Sequence, residues 1–234
     1  MNDGILKPIC FIAARGGSKG VPNKNIKSIA GKPLIAHSIR KIINSGLFQS
    51  VIVSTESPKI AKIAKKFGAQ IPFLRPKKLA GDSATMDDVI LHAIPELQKF
   101  GYSFKVVVNL DCTAPFVKIN DIKKSISLIN KKKCNTAVGA YKTHLNPYFN
   151  MMEFQTNGFL KFSKKKDVKI STRQSAPTVF QLTGFQTFSV TDFLHYRRIY
   201  MPKTLPVELE QETGLMIDTQ WEFNVAKCLF KNSN

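Results

Sequence analysis

In the run Ala13-Ala14-Arg15-Gly16-Gly17-Ser18-Lys19-Gly20-Val21-Pro22-Asn23-Lys24-Asn25, three glycines are interleaved with three cations. Glycine lets a backbone approach a bound group closely and turn its N–H groups inward. Arg15, Lys19 and Lys24 place three positive charges within ten residues, and Asn25 adds a neutral donor. That chemistry suits a polyphosphate, whose charge must be compensated when it leaves water. The spacing is neither GxxxxGK[ST] nor GxGxxG, so it implies neither a P-loop nor a dinucleotide loop. A basic surface turn is the alternative reading. The loop directly follows an apolar, strand-like run, and ligands of open α/β sheets gather beyond the carboxyl ends of such strands.

The elements that must position this loop are legible in the first 140 residues. Short, nearly all-apolar runs at 9–14, 50–54, 70–74, 106–110 and 136–141 predict strands covered on both faces. Helical patterns at 34–45, 58–67, 87–100 and 120–131 lie between them. The alternation argues for a mainly parallel sheet wrapped by helices, an α/β fold in a single domain spanning 1–234. From about residue 142 the pattern changes. Segments 148–154 and 159–162 flank Thr156-Asn157-Gly158, and Asn-Gly signals a two-residue hairpin. Residues 145–190 thus read as a small antiparallel insertion. A last short strand is expected at 214–217. A closing helix is expected at 219–230, with Thr219 as N-cap and Glu222 completing the capping box.

Composition narrows the classes. No run of 18 apolar residues occurs, and the start MNDGILKPIC lacks a signal-peptide pattern, so the cytoplasm is the expected address and no membrane partner is expected. Cys10, Cys112, Cys134 and Cys228 form no CxxC pair, and the four histidines form no metal-binding pattern. Cys10 and Cys112 are expected to be buried thiols. Lys and Arg number 35 against 16 Asp and Glu, a net charge of +19. The basic residues are spread along the chain and no RRM, KH or helix-turn-helix pattern accompanies them, so nucleic acid is not the expected partner.

Arg15-Gly16-Gly17-Ser18-Lys19-Gly20, followed by Pro22, Lys24-Asn25 and Gly31-Lys32-Pro33-Leu34, resembles the opening of the acylneuraminate cytidylyltransferase (CMP-sialic acid synthetase) family. Further matches follow in order: Val53-Ser54-Thr55-Glu56, Leu74-Arg75-Pro76, Leu79-Ala80-Gly81-Asp82, and Arg173-Gln174 with Pro177. Related enzymes for sugar 1-phosphates carry a GxG before the arginine, which is missing here. The resemblance implies a Rossmann-like three-layer nucleotidyltransferase fold with a small antiparallel dimerisation insertion, and a homodimer. It implies transfer of CMP from CTP to the anomeric hydroxyl of a nonulosonic acid with release of pyrophosphate.

Carried over residue by residue, it assigns Arg15, Gly16, Ser18, Lys19 and Lys24 to the CTP phosphates, and Asn25, Arg75 and Asp82 to the cytosine and ribose. A surface ion pair is the other reading of Arg75 and Asp82. Arg173 and Gln174 are implied to hold the sugar, Arg173 pairing with its carboxylate. Relatives have Leu-Gln-Pro-Thr-Ser-Pro where this chain has Leu110-Asp111-Cys112-Thr113-Ala114-Pro115, and Asp-Ile-Asp-Thr where it has Met216-Ile217-Asp218-Thr219. Both aspartates of the latter motif bind magnesium in relatives. Met216 is a poor ligand for a hard cation, so Asp218 with Asp111 becomes the candidate pair. Asp111 could otherwise meet a ribose hydroxyl or cap a turn, and Asp218 could cap the closing helix. Thr183-Gly184 replaces the usual Asn-Gly, which points to an altered acceptor pocket that Phe180 and Phe185 would line if they are not hairpin core. Arg15, Lys24 and Asp218 are the implied catalytic residues, Asp218 taking the hydroxyl proton. Two other readings are a cytidylyltransferase for 3-deoxy-manno-octulosonic acid and a non-catalytic, basic nucleic-acid-binding relative.

Overall fold

The structure, a computed structural model, describes residues 6–166, 170 and 172–232. In chain order the strands are β1 (Ile9–Ala13), β2 (Ser28–Ile29), β3 (Lys32–Pro33), β4 (Ser50–Ser54), β5 (Val106–Leu110), β6 (Thr136–Lys142), β7 (Met152–Phe154), β8 (Leu160–Phe162), β9 (Phe180–Ser189) and β10 (Thr204–Glu208). The α-helices are α1 (Leu34–Asn44), α2 (Pro58–Lys66), α3 (Met86–Lys99), α4 (Ile119–Asn130), α5 (Val190–Tyr196) and α6 (Gln220–Asn232).

Six strands form the central sheet in the order β10-β6-β9-β5-β1-β4. β1 is parallel to β4 and β5, and β10 is parallel to β6, whereas β9 runs antiparallel between β5 and β6. Successive side chains of a strand point to opposite faces, and β1 shows how that builds three layers. Cys10 and Ile12 pack with Ile35 and Ile39 of α1, Ile60 of α2 and Ile122 of α4. Ile9 and Phe11 pack on the other face with Val89, Ile90 and Ile94 of α3 and Phe193 of α5. Each fully buried side chain of this kind contributes roughly 1.5–3 kcal/mol, so the two layers fix β1, and with it the start of the glycine-rich loop. Ser57 caps α2 with Pro58 behind it, and Thr85 with Asp88 closes a capping box on α3. The mainly parallel three-layer α/β architecture is the expected one, and Cys10 and Cys112 are buried as expected.

Four expectations are corrected. Residues 70–74 form no strand. A single parallel bridge joins Gln70 to Ile52, and Pro72, which has no N–H to donate, follows at once. Residues 214–217 form no strand either: Gly214 closes a turn onto Glu210, and the sheet ends instead at β10. Pro206 made that strand hard to read, yet proline is tolerated on an edge, where one side of the strand needs no partner. The insertion is shorter than 145–190, because β9 belongs to the central sheet. Its hairpin is β7–β8, closed by Gln155 N–H donating to Phe159 O. The loop is therefore three residues, with Gly158 at φ 80°, rather than a two-residue turn. The helix cap at Thr219 and Glu222 is observed.

Candidate active site

At the carboxyl end of β1 the chain turns away, and buried side chains hold that turn. Asn25 donates from Nδ2 to Arg15 O at 2.9 Å and accepts from Cys112 Sγ at 3.3 Å. Its amide thus shapes the loop, and the residue also lines the cleft described below, where it was expected. Gly16 N–H donates to Glu56 Oε1 at 2.7 Å, and Glu56 Oε2 pairs with Arg75 at 3.0 Å. Gly16 is in this way tied to the scaffold. Burial opposes ionisation of Glu56, but the Gly16 N–H, its own N–H and the Arg75 guanidinium outweigh it and hold its pKa below the ordinary value. Arg75 is buried, lines the cleft described below, and has an Nε with no partner among the described residues.

On the far side of the loop, residues 214–219 come against it. A Cβ on Gly20 would lie 2.0 Å from Asp218 O, so only glycine permits this approach. Ile217 N–H donates to Thr113 O at 2.8 Å, and Ile217 packs with Val21, Leu34 and Phe223. Lys24 Nζ reaches Ile217 O at 2.7 Å and Asp218 Oδ1 at 2.8 Å.

Between these walls lies an open cleft of about 450 Å3, lined by Arg15, Ser18, Lys19, Lys24, Asn25, Arg75, Asp82, Thr113 and Asp218 among others. Asp82 bridges Arg15 at 3.1 Å and Lys19 at 2.6 Å, and the Lys19 ammonium followed by the Arg15 guanidinium holds its carboxyl below the usual range. Asp82 therefore meets two cations of the glycine-rich loop. The alternative reading, a surface ion pair of Arg75 with Asp82, is not what forms: Arg75 is buried and pairs with Glu56, and Asp82 pairs with Arg15 and Lys19.

Asp111 lies in an adjoining cavity of about 280 Å3 that shares Thr85 and Met86 with the cleft. Burial pushes its pKa up to about 6, a hydrogen bond from Gln186 opposes that, and the Asp218 charge adds to it. Asp218 does not cap α6, since Thr219 and Glu222 do, and among the described residues its carboxylate is hydrogen-bonded to Lys24 alone. Among the described residues no group of three or more His, Cys, Asp and Glu could hold a metal ion. Magnesium, however, is commonly held by one or two carboxylates with substrate phosphates completing its shell. Asp218 lines the cationic cleft and Asp111 the cavity that adjoins it, and both are hard oxygen donors of the kind magnesium takes.

Other expected residues lie elsewhere. Arg173 and Gln174 sit on an exposed 3-10 turn (Arg173–Ser175) and line neither the cleft nor the adjoining cavity. Phe185 is fully buried in the sheet core and lines no part of the site, and Phe180 opens β9 away from it. Sequence reasoning missed Glu56 as the bridge from Gly16 to Arg75. It also missed Asn109 and Gln186 beside Asp111, where polar residues inside otherwise apolar strands were the available signal.

Residues 9–204 match the family model described as cytidylyltransferase. The chain is 33% identical over 228 residues to a CMP-N,N'-diacetyllegionaminic acid synthase of Campylobacter jejuni, covering 97% of this chain and 96% of that one. It is 30% identical to a pseudaminic acid cytidylyltransferase of the same species, with 97% of each chain covered. Among solved structures, a CMP:2-keto-3-deoxy-manno-octonic acid synthetase complexed with CTP matches with a TM-score of 0.72 at 17% identity, covering 97% of this chain and 100% of that one, a likeness of fold.

Proposed function

The chain belongs to the cytidylyltransferase family, and we propose that it transfers CMP from CTP to the anomeric hydroxyl of a nonulosonic acid, releasing pyrophosphate. One observation carries this reading: Arg15, Lys19 and Lys24 converge on a single cleft with Asp218 at its wall. The triphosphate lies along the glycine-rich loop, where Arg15 and Lys19 exchange Asp82 for phosphate oxygens. The donor left on Arg75 serves the nucleoside end.

The anomeric oxygen attacks the α-phosphorus, a P–O bond to it forms, and the bond to the β-bridging oxygen breaks. Pyrophosphate leaves with its charge met by Arg15, Lys19 and Lys24, a positioning and electrostatic contribution of the kind that dominates such transfers. Asp218 receives the hydroxyl proton. Asp111 and Asp218 would hold magnesium, which when bound supplies Lewis-acid polarisation of the phosphates.

The acceptor occupies the cavity beside Asp111. Arg173 lies outside it, on the segment that follows a hairpin whose Phe154 and Phe159 are 78% and 74% exposed. A homodimer in which the hairpin packs on a second copy accounts for both facts, because each copy then brings Arg173 and Gln174 to its neighbour's sugar site. No described helix is long and apolar enough to cross a membrane, which agrees with a cytoplasmic enzyme acting on soluble precursors of a cell-surface glycan. A second reading, with 3-deoxy-manno-octulosonic acid as acceptor, is favoured by the fold likeness to a synthetase of that sugar.

Pyrophosphate release from CTP, UTP, ATP and GTP against legionaminic, pseudaminic, neuraminic and 3-deoxy-manno-octulosonic acids tests the proposal. Release with CTP and a nine-carbon acid supports it. Release with the eight-carbon acid alone selects the second reading, and no release with any pair overturns both.

A further inference from the structure

In the cavity beside the nucleotide cleft, two buried amides face each other across the β5–β9 pairing, Asn109 opposite Gln186. Asn109 is 1% exposed and donates from Nδ2 to Gln186 Oε1 at 2.5 Å. Gln186 in turn donates to the Asp111 carboxylate. A carboxylate accepts, so Gln186 must give Asp111 its amide nitrogen and keep its oxygen for Asn109. Asn109 must then give Gln186 its nitrogen, and its own Oδ1 is left with no partner among the described residues.

A buried carbonyl oxygen without a donor is costly, and a native protein keeps one where water or a ligand supplies what is missing. The same cavity offers Met86 and Ile199 as apolar wall and the Tyr200 hydroxyl as a donor. Together these present an acceptor, a donor and an apolar surface in a small space. An acylamino group offers the complement: one N–H, one carbonyl oxygen and one methyl. A sugar hydroxyl has nothing to place on the apolar wall.

We propose that Asn109 is a specificity-determining residue of the acceptor pocket, its free carbonyl oxygen receiving the N–H of an acylamino substituent on the sugar acid. This rests on the acid-sugar reading above. A site built around such a hydrogen bond rejects an analogue that lacks it far more strongly than an apolar pocket rejects a missing methyl.

The test uses the full-length protein with CTP and three acceptors: N,N'-diacetyllegionaminic acid, N-acetylneuraminic acid, and 3-deoxy-manno-octulosonic acid, which carries no amide. The expected wild-type result is a kcat/KM at least about 100-fold higher for the better acylamino acid than for the amide-free one. Asn109→Leu removes the free carbonyl oxygen and leaves the Gln186 donor on Asp111 in place. It is expected to lower kcat/KM for the acylamino acid at least tenfold while KM for CTP stays within twofold. A wild type that does not favour the acylamino acids overturns the proposal without need of a variant, as does a folded Asn109→Leu variant that keeps the preference. Pyrophosphate release with none of the acids overturns the cytidylyl-transfer reading itself, and so is told apart from failure of this one.

Discussion

Lys24 Nζ lies 2.8 Å from Asp218 Oδ1, so a single ammonium joins the glycine-rich loop to a segment 194 residues further along the chain. The same ammonium reaches the backbone at Ile217 O. This contact puts a cation and a carboxylate side by side on the lining of the cleft.

Replacing Lys24 with Met keeps the length of the side chain and removes its charge. Pyrophosphate release is expected to fall by roughly 10²–10³ in kcat/KM, the usual cost of losing one preorganised charge-stabilising group. Asp218 is well exposed, but Lys24 is largely buried and also serves Ile217 O, so the stability cost is expected to be about 1–3 kcal/mol, read from a urea midpoint. A large loss of stability with unchanged activity in the remaining folded protein would reassign Lys24 to scaffolding.

Gly20 and Gly17 separate two uses of glycine in one loop. A Cβ on Gly20 meets backbone, Asp218 O, at 2.0 Å, whereas a Cβ on Gly17 meets nothing within 4 Å. Gly20→Ala must push residues 218–219 away from the loop and is expected to cost about 1–3 kcal/mol. Gly17→Ala is expected to be neutral in stability or to gain up to about 1 kcal/mol, through a less flexible unfolded chain. Urea titration of both variants, without nucleotide, checks the contrast.

The binding loop and the alternating elements around it were readable because their signals are local. Glycines and cations crowd one turn, and apolar runs such as 106–110 carry enough Val and Leu to mark a doubly covered strand. Residues whose role depends on a distant partner were not readable in the same way. Nothing near Glu56 indicates that its two oxygens serve Gly16 and Arg75, 40 positions before and 19 after it. Asn25 was legible as a cleft residue by its type, but nothing local indicated that its amide also serves Arg15 O and Cys112. β10 was hidden by Pro206, and β9 by its place after a hairpin that drew it into the insertion.

Removing one partner of the Glu56–Arg75 pair should be costly, since the Arg75 side chain is only 4% exposed. Glu56→Gln keeps the shape but leaves the guanidinium without a counter-charge, and an expected loss of about 3 kcal/mol follows. KM for CTP should rise with it, because Gly16 and Arg75 both shift. A double-mutant cycle with Arg75→Met measures the coupling, and additive single effects would refute the link.

Asp111 gives the pH dependence a definite sign. Its folded pKa is raised, chiefly by burial, from an ordinary 3.8 to about 6, so between those values the folded protein holds more protons than the unfolded chain. Its contribution to stability therefore declines as pH rises from about 4 to about 6 and is level above that. In the absence of metal and nucleotide, Asp111→Asn is expected to be more stable than wild type at pH 7.5, by up to about 3 kcal/mol. The difference should vanish toward pH 4. Glu56, Asp82 and Glu222, whose pKa values are lowered, act in the opposite direction and cancel in the comparison of the two proteins. A stability difference independent of pH would contradict the assignment.

Calorimetric titration of CTP with magnesium into wild type, Arg15→Ala and Lys24→Met most directly examines whether the glycine-rich loop holds the triphosphate. Saturable binding by the wild type is expected, weakened at least about tenfold in each variant, as loss of a charge-assisted contact worth about 1.5–3 kcal/mol requires. Equal affinity in all three proteins would place the nucleotide elsewhere and contradict the assignment of the cleft.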